Sequence, residues 1–292
     1  MAEAFETYFA TAFSGPGHAD ERSGLLIASS SDGLWFRNTA RGLRPDEWYT
    51  PEGGLRDPHL LWWRERFFVV YSYGPNRAPL LFIAASNDLE HWAPWATLQL
   101  AADTGNNYID VPQWMVDPAG GLHLIACVDS NHHWVELHPL SSDPASWADQ
   151  GNWSPVVDLT DLAGAPLVQG NSFVAVRDGT FYMAFNAIRA EGYFLRTSTS
   201  LTTGWSAPQP LALPAFVNGG DSESLLVLGD GRLRFYISNG NALRHLMWQT
   251  ESTDGGVTWT TPERIYFEGF GGSDINWAQI VRFTDPRVMD VD

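Results

Sequence analysis

Residues 54–72 read GLRDPHLLWWRERFFVVYS, and this stretch decides how the rest of the chain is interpreted. A polar start at residues 56–58 (Arg-Asp-Pro) leads into an apolar run. A charged turn follows at residues 64–66, and a second apolar run returns over residues 67–71. Two runs rich in aromatic and β-branched residues around a short polar turn predict a β-hairpin. The same order of features recurs along the chain, so we interpret the hairpin as one unit of a repeat.

Three further units follow the same plan. Their first strands begin near residues 109, 169 and 220, and each continues through a tight turn into an apolar return strand. The turns lie at residues 117–121, 177–179 and 229–231. Asp-Gly in the last two turns is a strong hairpin signal. Later turns that begin with serine and end in tryptophan lie at residues 86–92, 198–205 and 252–259.

The fifth unit is divided between the two ends of the chain. Residues 273–282 have the pattern of a first strand, and its partner strands lie at residues 8–13, 25–28 and 30–35. We therefore expect an all-β fold: a five-bladed β-propeller with four-stranded blades, closed by pairing of the C-terminal strand with the N-terminal strands. We expect residues 1–292 to form this single domain. A β-sandwich or two small β domains is the alternative, and the regular spacing of the units favours the propeller.

Composition and charge argue against several classes of partner. The 292 residues carry 17 Lys+Arg against 34 Asp+Glu, a net charge of -17, so we expect no nucleic-acid partner and no membrane partner. No apolar run approaches the length of a membrane span. The single cysteine, Cys127, rules out an internal disulfide, and the first residues lack a signal-peptide pattern. We predict a cytoplasmic protein; removal of a signal peptide would instead make it secreted or periplasmic.

Polar residues at the start of each first strand predict a binding site. In a propeller the first strands line the channel, so their starts gather at one mouth with the loops that join second and third strands. The residues expected there are Arg56, Asp57, Asp110, Gln113, Trp114, His133, Gln169, Asn171, Asp221, Glu223, Asn276 and Trp277. Carboxylates, amides and indole rings suit a neutral polyhydroxylated ligand, so we expect a carbohydrate partner. Two carboxylates across a pocket are suited to acid/base work on a glycosidic bond.

The chain resembles the five-bladed propeller glycosidases. The stronger resemblance is to glycoside hydrolase family 43, and the weaker one is to its clan relative, family 32. Asp57-Pro58 resembles the motif of the family 43 base, and residues 223–236 resemble the layout of the blade that the family's acid begins. The resemblance implies an inverting, exo-acting enzyme of α-L-arabinofuranosidase or β-xylosidase type on pentose-containing plant oligosaccharides or polysaccharides. It implies Asp57 as general base and Glu223 as general acid. If Glu223 is buried, its pKa rises as an acid requires.

The sequence also departs from that family. The third carboxylate of the family should start the third blade, where this chain has Gln169-Gly170-Asn171. Either Asp110 or Asp221 takes over its role, or the activity is altered or absent; we take Asp110 as the third catalytic residue. The histidine that often starts the fifth blade is replaced by Asp274-Ile275-Asn276, so we expect no channel metal and no cofactor. Family 32 ranks second because its nucleophile motif is missing.

Other interpretations remain open for the site. Asp57 could simply cap a turn before Pro58. Adjacent residues of a strand point to opposite faces, so His132 and His133 predict no metal site, and we expect His133 to contact sugar. The missing third-blade acid favours a non-catalytic carbohydrate-binding propeller as the second hypothesis. A protein-interaction propeller, with an exposed apolar patch, is the third.

Overall fold

The computed structural model describes residues 7–14, 24–39, 49–52, 54–73, 80–100, 109–128, 133–159, 169–187, 192–214, 223–238, 246–269 and 275–285. Within these residues the chain forms β-strands and two three-residue 3-10 helices, Pro144–Ser146 and Gln150–Asn152. In this part of the chain no helix has the length and apolar character needed to cross a membrane.

The described residues contain 21 strands. In chain order they are β1 (Thr7–Ser14), β2 (Leu25–Ser30), β3 (Trp35–Asn38), β4 (Leu55–Trp63), β5 (Arg66–Tyr73), β6 (Leu80–Ser86), β7 (Ala93–Gln99), β8 (Ile109–Val116), β9 (Leu122–Val128), β10 (His133–Leu137), β11 (Val157–Asp158), β12 (Gln169–Arg177), β13 (Thr180–Ala187), β14 (Tyr193–Ser198), β15 (Gln209–Pro210), β16 (Glu223–Val227), β17 (Leu233–Ser238), β18 (Met247–Ser252), β19 (Glu263–Arg264), β20 (Tyr266–Glu268) and β21 (Ile275–Phe283).

These strands form five sheets, which are the blades of a propeller. Blades 1 to 4 are the antiparallel sheets β4-β5-β6-β7, β8-β9-β10-β11, β12-β13-β14-β15 and β16-β17-β18-β19. Blade 5 has the order β21-β1-β2-β3-β20, and its outermost strand, β20, runs parallel to β3. The predicted five-bladed propeller is confirmed, with β20 as an additional fifth strand in the last blade.

The ring closes where the two ends of the chain meet. β21 pairs antiparallel with β1, with Phe9 opposite Val281 and Thr7 opposite Phe283. Each inner strand, β4, β8, β12, β16 and β21, contacts the next, and β21 contacts β4. The predicted closure by the C-terminal strand is therefore confirmed.

Apolar residues of adjacent blades pack face to face between the sheets. Between blades 1 and 2 the buried ring of Trp147 lies 4.9 Å from that of Phe68 and 5.7 Å from that of Trp114, measured between centroids. Trp147 follows a 3-10 helix that Asp143 caps by accepting the Ala145 N–H. The long connection in blade 2 therefore contributes a core residue to the contact between two blades.

The serine-to-tryptophan turns join third strands to fourth strands. In blade 4 the Ser252 hydroxyl donates to Asp254, and the indole N–H of Trp259 donates to the Gly256 carbonyl oxygen. Hydrogen bonds from the Thr258 hydroxyl and backbone N–H lower the pKa of Asp254 to about 2. The same serine-aspartate pair occurs in blade 1, between Ser86 and Asp88. These aspartates act in turn formation, as Asx residues commonly do.

Candidate active site

Four of the five inner strands, β4, β8, β12 and β21, have a β-bulge or irregular pairing near their starts, whereas β16 pairs with β17 in continuous register. In β4 the bulge lies between Arg56 and His59, and in β8 between Asp110 and Gln113. β12 is irregular between Gln169 and Ser172, and β21 opposite residues 11–13 of β1. A bulge bends the strand and changes the direction of the side chains that follow it. It therefore decides which residues of each strand face the mouth.

Asp57 sits in the bulge of β4 with a left-handed backbone, φ 50°. Its side chain is buried, and the described residues offer its Oδ2 no hydrogen-bond partner. Its backbone carbonyl accepts a hydrogen bond from Gln279 Nε2 at 3.3 Å. Asp tolerates positive φ better than most residues do, at a cost of roughly 1–2 kcal/mol. Asp57 is thus a buried carboxylate held in an uncommon conformation by neighbouring strands.

Glu223 is the first residue of β16 and is fully buried. The Asn186 side-chain amide, from the end of β13 in blade 3, donates to Glu223 Oε1 over a long 3.4 Å. The Ser224 hydroxyl donates to the Glu223 carbonyl oxygen at 2.7 Å. The burial on which the sequence-based acid assignment depended is therefore present.

β21 connects the two carboxylate-bearing strands. Gln279 donates to Asp57, and the next residue, Ile280, donates its N–H to the Ser224 hydroxyl at 2.7 Å. Consecutive residues of β21 thus bind Asp57 itself and Ser224, the residue that follows Glu223. Asp57 and Glu223 consequently lie at the same level of the channel, on the strands that flank β21.

Arg56 and Asp110 form a charged pair between blades 1 and 2. Arg56 Nη2 lies 3.7 Å from Asp110 Oδ1, and the two side chains are 13% and 22% exposed. Each residue directly precedes the bulge of its own strand, so the blades present them at the same level. The structure therefore brings Arg56 and Asp110 together, and Asp57 directly follows Arg56 in the bulge of β4.

Buried polar side chains near the starts of the inner strands, here called the polar ring, link blade 1 to 2, blade 2 to 3, blade 4 to 5 and blade 5 to 1. His59 Nδ1 accepts the Trp114 backbone N–H at 3.3 Å, Ser224 links blade 4 to blade 5, and Gln279 links blade 5 to blade 1. Burial lowers the pKa of His59 to about 3, so its ring is neutral. Because Nδ1 is the acceptor, the ring proton lies on Nε2.

Gln113 belongs to this ring, which corrects its predicted role as a sugar contact. Its Nε2 donates to the Val174 carbonyl at 2.7 Å and its Oε1 accepts the Val174 N–H at 2.9 Å. Both ends of the amide are therefore used to join blade 2 to blade 3. The bulge before Gln113 changes the direction of its side chain, which points toward blade 3 and not toward the mouth.

Trp114 requires a similar correction. Its side chain is 3% exposed, and its ring lies 5.7 Å from Trp147 and 6.3 Å from Trp153. It packs in the apolar layer between blades 1 and 2. Alternation along β8 places Gln113 toward blade 3 and Trp114 toward blade 1, so neither side chain is part of the candidate site.

The other predicted sugar contacts are placed by their backbone alone. Gln169 and Asn171 begin β12, Asn276 and Trp277 begin β21, and His133 begins β10, opposite Val128. The sequence therefore identified the starts of the inner strands correctly. Asp221 lies outside the described residues.

Sequence reasoning missed the contacts of Asn186 and His59 and the apolar character of the channel beyond the polar ring. Past the polar ring the inner strands enclose a cavity of about 290 Å³ with a mainly apolar lining. It is lined by residues 59–62, 113–116, 173–176, 224–227 and 280–283. The sequence signal for the polar ring was a polar residue just after the start of an inner strand. For Gln113 this signal was interpreted as a sugar contact.

Comparison with known proteins identifies relatives in fold. No protein-family model and no curated protein matches the chain by sequence. A GH43 β-1,3-galactosidase solved with galactodeoxynojirimycin has 12% identity and a TM-score of 0.61, over 91% of this chain and 92% of that one. An endo-1,4-β-xylanase from Bacteroides thetaiotaomicron has 13% identity and a TM-score of 0.61, over 90% and 94%.

An α-L-arabinanase from Cellvibrio cellulosa, solved with arabinohexaose, has the same fold as well. It shares 14% identity with a TM-score of 0.54, over 92% of this chain and 91% of that one. At identities this low, the structural similarity shows only that these proteins share a fold with this chain. A shared fold does not fix the chemistry, which depends on the residues of the site.

Proposed function

We propose that this protein is a glycoside hydrolase in which Asp57 is the general base and Glu223 the general acid. The observation that carries the proposal is the placement of these two buried carboxylates on the strands that flank β21, at one level of the channel. The propeller fold shared with solved glycosidases supports it.

The two carboxyl groups would divide the work of an inverting reaction. In such an enzyme one carboxylate takes a proton from water while a carboxylic acid protonates the leaving oxygen, the pair standing about 6.5–9.5 Å apart. Asp57 suits the base because the described residues leave its Oδ2 without a hydrogen bond. Glu223 suits the acid because it is fully buried and Asn186 orients one of its oxygens. Asp110, paired with Arg56, would orient the acid or bind sugar hydroxyls.

We further propose an exo-acting enzyme of α-L-arabinofuranosidase or β-xylosidase type, acting on pentose-containing plant carbohydrates. The resemblance of Asp57-Pro58 and residues 223–236 to family 43 supports this choice. A xylanase and an arabinanase are among the proteins of this fold, but so is a β-1,3-galactosidase. Hexosides therefore have to be tested beside pentosides.

A release assay with Asp57→Asn and Glu223→Gln tests the proposal. We expect wild type to hydrolyse arabinoxylan oligosaccharides and aryl pentosides, and proton NMR to show inversion in the first anomer released. Asp57→Asn should lose at least about 100-fold on both substrates, because the water is no longer activated. Glu223→Gln should lose as much on oligosaccharides but less on aryl glycosides, whose good leaving groups need little protonation.

Asp149→Asn is the control, since Asp149 caps an exposed turn by accepting the Gly151 N–H. It should retain wild-type rates. Full activity of Glu223→Gln on oligosaccharides would refute its role as acid. Faster cleavage of aryl hexosides than of aryl pentosides would refute the pentose specificity and leave the hydrolase assignment intact.

A non-catalytic carbohydrate-binding propeller is the second candidate. The observation in its favour is the start of β12, where Gln169-Gly170-Asn171 carries no acid. It predicts that wild type binds oligosaccharides in calorimetry and hydrolyses none of the panel.

A further inference from the structure

Blade 2 carries a second cluster of ionisable side chains, at a distance from the candidate active site. Glu136 in β10 and His138, two residues later, point to the same face of the sheet. In the antiparallel pairing of β9 with β10, Leu124 is opposite Leu137, which places His123 of β9 across from His138. Directly opposed residues of neighbouring strands have adjacent side chains. The strand register alone therefore brings two imidazoles and one carboxylate together.

The ring nitrogens of His123 and His138 and a carboxylate oxygen of Glu136 converge. Glu136 Oε1 lies 2.7 Å from His123 Nδ1 and 3.0 Å from His138 Nδ1. One ligand atom from each of the three residues lies within 4.8 Å of the others. A tetrahedral zinc ion with bonds of about 2.0–2.1 Å holds its ligand atoms about 3.3 Å apart. Small side-chain rotations would bring the three groups to that spacing.

A fourth residue orients one of the imidazoles. Asp117 Oδ2 lies 3.2 Å from His123 Nε2, while Asp117 Oδ1 accepts the N–H groups of Ala119 and Gly121 in the β8–β9 turn. Histidines that bind metals usually donate their other ring N–H to a carboxylate, which fixes the ring and its tautomer. Asp117 is in that position, and it leaves His123 Nδ1 for the metal.

Burial and charge complete the site. Glu136 is only 3% exposed and His123 19%, whereas His138 is 42% exposed, so a water molecule can approach from the side of His138. Together Glu136 and Asp117 carry two negative charges, which match a divalent cation. A set of two imidazole nitrogens and one carboxylate oxygen selects transition metals over calcium or magnesium, which prefer oxygen ligands.

We propose that His123, Glu136 and His138 bind a divalent transition-metal ion, zinc in the first instance, with Asp117 orienting His123 and water as the fourth ligand. Binding displaces the protons that the imidazoles share with Glu136 in the metal-free protein, and these are released to solvent. The ion links β9 to β10, the two middle strands of blade 2. β8 runs from Asp110 at the mouth to the turn at Asp117, roughly 20 Å at about 3.3 Å per residue, so this site is separate from the candidate active site.

Zinc chloride and cobalt chloride added to the full chain, stripped of metal with a chelator, test the proposal. We expect one zinc per chain by elemental analysis after gel filtration, a rise in melting temperature with zinc, and visible Co²⁺ bands of a tetrahedral site. His138→Gln should lower zinc affinity by more than about 100-fold in calorimetry, since a ligand is lost. Asp117→Asn should lower it by about 10- to 100-fold, because the orienting partner is weakened.

His91→Gln is the matched control, because His91 also pairs with a carboxylate, Asp88 at 2.8 Å, but is exposed and outside the cluster. It should bind zinc as wild type does. His138 is partly exposed, so its variant should fold, and Glu136→Gln provides a second loss of a ligand. Absence of stoichiometric zinc in wild type, or unchanged affinity in His138→Gln, would overturn the proposal.

Discussion

At the scale of single residues, two inner strands contain the same uncommon backbone conformation. Asp57 has φ 50° and Val111, at the corresponding position of blade 2, has φ 48°. Positive φ is strained for a β-branched residue, yet Val111 has no ionisable group. The conformation is therefore a property of the bulge, and a carboxylate within it distinguishes Asp57. Strain alone would not have identified a catalytic residue.

The buried His59 should make stability depend on pH. Burial lowers its pKa in the folded protein to about 3, against 6.5 in the unfolded chain. Between these values the unfolded chain binds a proton that the folded protein does not, so stability falls as the pH is lowered below 6.5. We expect wild type to lose up to about 1.4 kcal/mol of unfolding free energy per pH unit relative to His59→Gln, whose amide keeps the acceptor.

Urea unfolding of both proteins at pH 7, 6, 5 and 4.5 measures this difference. Carboxylates and the other histidines titrate in both proteins and cancel. A difference between the two proteins that does not change with pH would show that His59 is not the buried neutral group described here.

At the scale of elements, the polar ring explains how neighbouring blades are joined near the mouth. Antiparallel pairing satisfies the backbone within each blade, but the bulges interrupt it. Each inner strand is also the edge strand of its sheet, and side chains from the adjoining inner strand bind its backbone, as Gln113 does at Val174 and Gln279 does at Asp57. A buried backbone group without a partner costs about 1–3 kcal/mol, so these bonds matter more than surface bonds of the same kind.

Gln113→Leu should therefore be much more destabilising than Gln150→Leu. Gln150 makes the same two kinds of bond to the backbone of Gln99, but on the exposed surface. We expect a loss of about 2–4 kcal/mol at position 113, where a buried N–H and carbonyl of Val174 lose their partners, and less than about 1 kcal/mol at position 150. Urea unfolding measures both values. Equal losses would mean that the bonds to Val174 do not join blades 2 and 3 in solution.

At the scale of the whole molecule, β21 completes the ring. It is the inner strand of blade 5, pairs with β1, and contacts β4 on one side and β16 on the other. Ala278 and Ile280 lie in the apolar layer shared with blade 4, and Val281 lies in the layer shared with blade 1. Removal of β21 would expose both layers at once.

A chain that ends at Gly269 should therefore lose cooperative unfolding, whereas one that ends at Asp285, after β21, should melt like the full chain. We expect the shorter chain to bind a hydrophobic dye and to show no single transition in calorimetry, because two apolar faces are exposed to water. A sharp transition at the wild-type temperature would show that four blades, β1–β3 and β20 fold stably without β21.

The sequence alone determined the number of blades, the closure between the chain ends and the strands that carry the candidate carboxylates. These properties depend on local patterns: alternating apolar residues, Asp-Gly turns and serine-to-tryptophan turns. Such patterns form over a few residues and repeat at each blade. Asp57, Glu223 and Asp110 were placed correctly at the starts of inner strands because their position depends only on where each strand begins.

Only the tertiary structure decided which way the residues after each start point. A bulge shifts the alternation by one residue, and its position depends on pairing with the next strand, so Gln113 and Trp114 were assigned to the mouth when they face adjacent blades. The cluster of His123, Glu136 and His138 was missed because strand pairing, like the position of a bulge, is decided by tertiary structure. Its members are up to 15 positions apart in the sequence and adjoin only through the register of β9 and β10.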